Sequence, residues 1–193
     1  MFQHAFTFLA KAILKKYNPD IVAITGSVGK TSTREACFSV LKKKYRVRKS
    51  EKNYNTDFSI PITIIGGALH TRSLFNILKI IVKALWFIIV RVKSYPEILV
   101  LELSADKPGD IARFMSYIKP YIGIVTTVSN ARLEQFGTLQ RVIAEKRLVY
   151  ANTKANGFII VNSDDVLVDV GCGKGRFFNW ALSKGYKNKI IGI

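Results

Sequence analysis

A glycine-rich turn followed by a lysine and two hydroxyl residues is the first part of this sequence where chemistry is expected. In the stretch AITGSVGKTS (23–32), Gly26 and Gly29 allow backbone N–H groups to turn inward with no Cβ in the way. Lys30 is suited to the β- and γ-phosphates of a nucleotide, and the Thr31 hydroxyl is suited to Mg²⁺. The predicted phosphate-binding residues are Gly26, Ser27, Val28, Gly29, Lys30, Thr31 and Ser32. A strand before the turn and a helix after it complete the pattern of a nucleoside-triphosphate loop.

Glu102 is the acidic residue best placed to assist that loop. It lies near the end of EILVLEL (97–103), a run typical of a buried parallel strand. Ligands of parallel sheets bind outside the carboxyl ends of the strands, and magnesium prefers oxygen donors. Glu102 is therefore a candidate magnesium ligand, and the alternative is a solvated acid at a strand end.

Strands and helices alternate along most of the chain, which predicts an α/β fold with a P-loop-type, mostly parallel sheet flanked by helices. Residues 1–18 predict an amphipathic helix that ends at or before Asn18–Pro19. Residues 53–61 predict a polar loop that ends at Pro61. The length of 193 residues allows one domain or one and a half.

The composition favours a folded, basic protein with an anionic partner. Hydrophobic residues make up 49% of the chain, and 30 Lys and Arg against 13 Asp and Glu give a net charge of +17. Such a charge suits a phosphate ligand or an acidic membrane surface, although a generally basic proteome also explains it. Because the basic residues are scattered, a nucleic-acid partner is not favoured. Cys37 and Cys172 have no metal-ligand spacing and fit a reducing cytoplasm.

The most apolar segment, 75–92, has two interpretations. Fourteen of its 18 residues are hydrophobic, and Lys79, Lys83 and Arg91 fall on one helical stripe. Its longest charge-free run is shorter than the roughly 20 apolar residues that cross a bilayer. Either the helix covers one face of the sheet, or it lies in the interface of an anionic membrane on the inner face.

Six short sequence motifs occur in order over residues 19–165. They are ITGSVGKTST, NYNTDFSIPITI, LVLELSADKPGDI, ARLEQFGTL, AEKRLVY and VNSDD. In this range the chain resembles the ATP-binding central domain of the Mur ligases, especially the branch that adds D-alanyl-D-alanine. The resemblance implies ATP and Mg²⁺ as cofactors and a carboxylate activated as an acyl phosphate. An amine then attacks to form an amide of a peptidoglycan precursor.

The resemblance also implies roles for individual residues. It assigns Lys30 to the phosphates, Thr31 and Glu102 to magnesium, and Lys146 to the position of a carbamylated lysine that helps to hold a second magnesium. Lys30, Glu102 and Lys146 are thus the candidate catalytic residues. Without the resemblance, Lys146 is one lysine of a charged helix. Arg132 stands where the family usually has histidine, and a guanidinium does not ligate a metal.

Two further pairs of residues match the family pattern. Asn53 and Asn55 match a loop near the γ-phosphate and the acceptor substrate, and turn chemistry is their alternative explanation. Asn162 and Asp165 match a strand-end group close to the nucleotide. Full Mur ligases have a substrate domain before the loop and a third domain after the centre. We therefore expect the ligase machinery of this chain to be incomplete.

Residues 166–193 resemble a different family, the class I S-adenosylmethionine-dependent methyltransferases. Asp169 precedes the turn GCGKG, and the candidate S-adenosylmethionine loop is Asp169, Gly171, Gly173 and Gly175. Alternatively, this truncated Rossmann-like βαβ unit only completes or caps the neighbouring sheet. The junction at 165/166 has no linker composition, which indicates either a gene fusion or a join made in assembly. The alternative functions are a methyltransferase fragment and a non-catalytic membrane-surface protein.

Overall fold

The computed structural model describes residues 2–51, 56, 58–67, 74–129, 133–161, 167–169 and 190–192. The helices are α1 (Phe2–Tyr17), α2 (Lys30–Leu41), α3 (Ser59–Ile65), α4 (Leu74–Ile89), α5 (Asp110–Met115), α6 (Leu133–Phe136) and α7 (Leu139–Ala151). The strands are β1 (Asp20–Thr25), β2 (Val47–Lys49), β3 (Ile98–Glu102), β4 (Ile122–Val125), β5 (Phe158–Val161), β6 (Leu167–Asp169) and β7 (Ile190–Gly192).

Five strands form one sheet in the order β2-β3-β1-β4-β5. The pairs β2–β3, β1–β4 and β4–β5 are parallel, with Ile24 opposite Ile124 and Ile124 opposite Ile160. Parallel strands need helical crossovers, and helices alternate with the strands along the chain. The predicted α/β fold with a mostly parallel sheet is confirmed.

The chain divides into two compact units, and the first contains 1–21 and 31–103. Its helices α1, α3 and α4 pack against one another. α3 is buried along its whole length, and Phe6 and Ile13 of α1 are fully buried. These apolar contacts give the first unit a helical core beside the strands β2 and β3.

The second unit contains 22–30 and 104–193. In it, α7 packs against α5, α6 and β4. Val149 of α7 and Ile111 and Phe114 of α5 are almost completely buried. The turn after β1 belongs to this unit. The other segments of the unit, which surround the turn, all follow residue 103 in the sequence.

The last described strands, β6 and β7, pair in parallel in a small sheet of their own. They lie near the two ends of the segment 166–193, as the two strands of the expected βαβ unit would. Within the described residues, β6 and β7 pair with each other and do not extend the five-stranded sheet, and the interpretation that the segment caps that sheet stays a prediction.

Two local predictions need correction. The polar loop expected to end at Pro61 instead becomes α3 at Ser59, with Pro61 in its first turn, where helices tolerate a missing N–H. Helix α4 ends at Ile89, so Arg91 lies beyond the helix that presents Lys79 and Lys83. No helix in the described part of the chain is both long and apolar enough to span a membrane.

Candidate functional site

The glycine turn after β1 adopts backbone conformations that suit glycine. Gly26 has φ 148° and Gly29 has φ 87°. A Cβ on Gly26 would lie 1.8 Å from Oγ1 of Thr126, which follows β4. The Thr126 hydroxyl donates to the carbonyl of Val28 at 2.6 Å. The turn is therefore fitted so closely to the end of β4 that any side chain at residue 26 is excluded.

Further hydrogen bonds hold the turn to the segment after β4. The N–H groups of Ser27 and Val28 both donate to the carbonyl of Thr127, at 2.8 and 3.3 Å. The Ser27 hydroxyl accepts from the N–H of Ser129 at 3.1 Å. The N–H groups of Ser27 and Val28 therefore do not turn inward as the sequence predicts, because both bind the carbonyl of Thr127. The first N–H groups of α2 have no acceptor within the helix, as in any α-helix, and are main-chain donors for an anion.

Two lysines converge on one carbonyl of the turn. Nζ of Lys30 donates to the carbonyls of Gly26 and Ser27 at 2.8 and 3.0 Å. Nζ of Lys146, from α7, donates to the same Gly26 oxygen at 3.0 Å. A pocket opens beside them, lined by Gly26, Ser27, Lys30, Ser104, Ala105, Phe136, Val142 and Lys146. Two ammonium groups at one pocket create a positive potential that favours an anion.

Lys146 is a buried residue rather than a solvated lysine of a charged helix. It is 6% exposed, so burial of its charge must be offset by polar contacts such as the one with Gly26. The preceding residue, Glu145, is also buried and accepts from the N–H groups of Gly109 and Ile111 at 2.9 and 2.7 Å. Glu145 thereby caps the start of α5, where negative charge is stabilising.

In the first unit, Thr31 and Glu102 lie together, as magnesium ligation would require. The Thr31 hydroxyl lies 3.2 Å from each carboxylate oxygen of Glu102. Glu102 is 4% exposed, which corrects the alternative of a solvated strand-end acid. Its main-chain N–H donates to the Ser50 hydroxyl at 3.1 Å. The pair offers a hydroxyl and a carboxylate, both of which are oxygen donors that magnesium prefers.

Arg34 is a functional candidate that we did not predict from the sequence. Its side chain is buried, and Nη1 lies 3.0 Å from Oε2 of Glu102. Arg34 also donates from Nη2 to Glu35 at 2.8 Å, and Lys49 contacts the other oxygen of Glu35. Hydrogen bonds from Lys49 and then Arg34 lower the pKa of Glu35 below its usual 4.5. Arg34 therefore fixes the Glu102 carboxylate in place and balances its charge inside the first unit.

Several predicted site residues lie outside the described residues. They are Asn53, Asn55, Asn162, Asp165, Gly171, Gly173 and Gly175, together with Arg132 at the family's histidine position. Asp169 is the last residue of β6, and only its backbone is described. Among the residues whose side chains are described, no group of three or more His, Cys, Asp or Glu could hold a metal ion.

Comparison with known proteins places this arrangement in a family. The model of the Mur ligase middle domain matches residues 24–175, which is most of the chain. The chain belongs to the Mur ligase middle domain family. The turn, Thr31, Glu102 and Lys146 all lie within the matched range.

Relatives with curated names support the same family. The UDP-N-acetylmuramoyl-tripeptide–D-alanyl-D-alanine ligase of Borreliella burgdorferi is 30% identical over 138 residues, covering 72% of this chain and 24% of the relative. The ligase of the same name from Haemophilus influenzae is 27% identical over 168 residues, covering 84% of this chain and 31% of the relative. The chain thus spans 24% and 31% of the length of these two relatives.

A solved structure with a similar fold is that of the MurF ligase from Thermotoga maritima in complex with ADP. Its TM-score is 0.65 at 27% identity, and the match covers 99% of this chain and 36% of that one. A MurF structure from Acinetobacter baumannii, at 18% identity and a TM-score of 0.62, shares the fold. These comparisons favour the Mur ligase family over the alternative that the chain is a methyltransferase fragment.

Proposed function

We propose that this chain is the nucleotide-binding part of an ATP-dependent ligase of peptidoglycan precursor synthesis. The observation that most supports the proposal is the convergence of Lys30 and Lys146 on the Gly26 carbonyl beside the pocket. The MurF ligase of Thermotoga maritima, which shares the fold, was solved in complex with ADP. Residues 19–165 are proposed as the ATP-binding segment, after an N-terminal helix at 1–18 and before a separate segment at 166–193.

The phosphates of ATP fit the residues of the second unit. Lys30 presents its ammonium group at the turn, and Gly26 leaves room where a Cβ would collide with Thr126. The N-terminus of α2 adds the partial positive charge of a helix end. Ser27, Val28, Gly29 and Ser32 are the other residues of the turn and helix start proposed to surround the phosphates.

Magnesium fits the oxygen donors of Thr31 and Glu102. The hydroxyl and the carboxylate are already in contact, and Lys30 and Thr31 are consecutive in the chain. When bound, magnesium would neutralise charge on the transferred phosphoryl group. The role of Lys146 at a second magnesium stays a prediction, since the observed contact is that of an ammonium donor with Gly26.

The reaction proposed for the longer ligase is transfer of the γ-phosphoryl group to a carboxylate, followed by attack of an amine. In this chain, Lys30 would hold the phosphates in position and Glu102 would hold the cation. Asn53 and Asn55 are proposed to lie toward the acceptor, and Asn162 and Asp165 toward the nucleotide. Ligation also needs the amine to be brought to the acyl phosphate, so we expect little or no ligase activity from this chain alone.

Calorimetric titration of the full chain with Mg-ATP tests the proposal. We expect binding by the parent chain and a loss of at least about tenfold in affinity for Lys30→Ala, because a charge-assisted contact contributes roughly 1.5–3 kcal/mol. The matched control is Lys43→Ala, which removes an exposed lysine just after α2 and should leave affinity unchanged.

Two results would contradict the proposal. One is a folded parent chain that releases or absorbs no heat with Mg-ATP and gains no thermal stability from it. The other is equal loss of affinity in Lys30→Ala and Lys43→Ala, since general positive charge would then explain binding. Stabilisation by S-adenosylmethionine and not by Mg-ATP would support the methyltransferase alternative instead.

A further inference from the structure

Helix α4 presents a continuous apolar face to solvent. Seven of its apolar side chains are between 44% and 78% exposed: Leu74, Phe75, Leu78, Val82, Leu85, Trp86 and Ile89. At 100° per residue they occupy one arc of the helix. The opposite side, with Ile80, Ala84 and Phe87, is buried in the first unit. The helix thus has an exposed apolar face in addition to the buried face that packs against the rest of the first unit.

The exposed face is fixed in that orientation by contacts at the end of α4. Lys16 of α1 donates from Nζ to the carbonyl of Ile88 at 2.8 Å. The Tyr17 hydroxyl lies 3.0 Å from the carbonyl of Val90, and the Tyr17 ring packs edge to face on Phe87. Because these contacts tie the helix to α1, rotating the apolar face inward would break them. The folded protein therefore keeps the apolar side chains of this face exposed.

Positive charge borders this face. Lys79 and Lys83 are exposed and follow the apolar arc along one side of α4. Lys83 donates to the carbonyl of Gly66 at 2.5 Å. Partial burial of its ammonium group, and then the nearby charges of Arg48 and Lys79, lower the pKa of Lys83 below 10.5. The sequence contains no Asp or Glu in 1–19 or in 58–96, the ranges that include α1 and α4.

We propose that the α4 face docks on the surface of an anionic lipid bilayer. Leucine, phenylalanine and tryptophan on one side of a helix with lysine beside them is the pattern of an interfacial helix. A helix of 16 residues offers a flat strip about 24 Å long, suited to lying in the plane of the headgroups. A second copy of this chain fits less well, because each copy has a net charge of +17 and repels the other.

Vesicle binding by the full chain tests the docking. We expect the chain to sediment with vesicles that contain phosphatidylglycerol and to bind pure phosphatidylcholine vesicles much more weakly. Leu78→Glu should weaken binding at least about tenfold, because it removes a leucine side chain that the bilayer would bury and places a charge in the apolar face. Lys79→Gln should weaken it about fivefold, the equivalent of roughly 1 kcal/mol for one basic residue.

The matched control is Val40→Glu, which places the same charge on an exposed apolar residue of α2. It should bind vesicles like the parent chain. As a second measurement, a Trp180→Phe chain leaves Trp86 as its only tryptophan, and its emission should shift to the blue with anionic vesicles. Circular dichroism and Mg-ATP titration of each variant show whether a loss of lipid binding reflects unfolding.

Three results would overturn the docking proposal. They are equal binding to the two kinds of vesicle, an equal loss of vesicle binding in Leu78→Glu and Val40→Glu, and unchanged Trp86 emission with anionic vesicles. A dimer in sedimentation that Leu78→Glu abolishes, without any vesicle binding, would assign the face to a second copy instead. None of these results depends on nucleotide binding, so this proposal and the proposed function fail separately.

Discussion

Replacement of Arg34 by methionine tests the buried ion pair at the proposed magnesium ligand. Arg34 and Glu102 are 3% and 4% exposed, and their charged atoms lie 3.0 Å apart. Removing one partner of a buried pair costs about 3–5 kcal/mol, because the other charge stays buried without compensation. The Thr31 hydroxyl still contacts Glu102 in the variant. We therefore expect Arg34→Met to lower the free energy of unfolding by about 3 kcal/mol, the lower end of this range.

Equilibrium unfolding in urea, followed by circular dichroism, measures the effect in the full chain. The double variant Arg34→Met/Glu102→Gln removes the stranded carboxylate and should recover most of the lost stability. Arg34→Lys keeps the positive charge but lacks the planar guanidinium group. Its free energy of unfolding should therefore lie between those of the parent chain and Arg34→Met. A loss below about 1 kcal/mol in Arg34→Met, typical of an exposed pair, would refute this reasoning. So would a double variant that is less stable than Arg34→Met.

Three further predictions concern the turn and the side chains near it. Gly26→Ala should abolish Mg-ATP binding in calorimetry because its Cβ meets Thr126, whereas Gly109→Ala, at another positive φ (91° against 148°) but with nothing within 4 Å, should still bind. The lowered pKa of Glu35 means that its ionised form stabilises the fold above pH 4.5 and that this contribution is lost as pH falls through the lower folded value. The stability difference between the parent chain and Glu35→Gln in urea unfolding should therefore narrow below pH 4.5 and stay constant above it. Burial raises the pKa of Cys37 above 9.0, so in a Cys172→Ser chain its alkylation should be slower at pH 8 than in the urea-unfolded chain.

The strands and the turn were predictable because their signals are local. Short β-branched runs mark β1 and β4, and glycines at 26 and 29 mark backbone that other residues adopt with strain. Glu102 was predictable from its place at the end of a strand. Each of these predictions needs only a few neighbouring residues.

The remaining features depend on contacts between residues that are far apart in the sequence. Arg34 and Glu102 are 68 positions apart, and Lys146 and Gly26 are 120 apart. No local pattern shows that either basic side chain is buried. In the same way, the apolar run of α4 left two interpretations open, a helix that covers one face of the sheet and an interfacial helix. Only the packing of α4 shows which residues it buries and which it leaves exposed.

Two consecutive side chains of α7 tie together parts of the second unit that the sequence separates widely. Glu145 holds the main chain at the start of α5, and Lys146 holds the turn at Gly26. One residue inserted into α7 ahead of them would rotate both by about 100° and release both contacts at once. The spacing along this helix is therefore under a stricter constraint than the length of any exposed loop. Engineering of the chain should leave α7 uninterrupted and place insertions elsewhere.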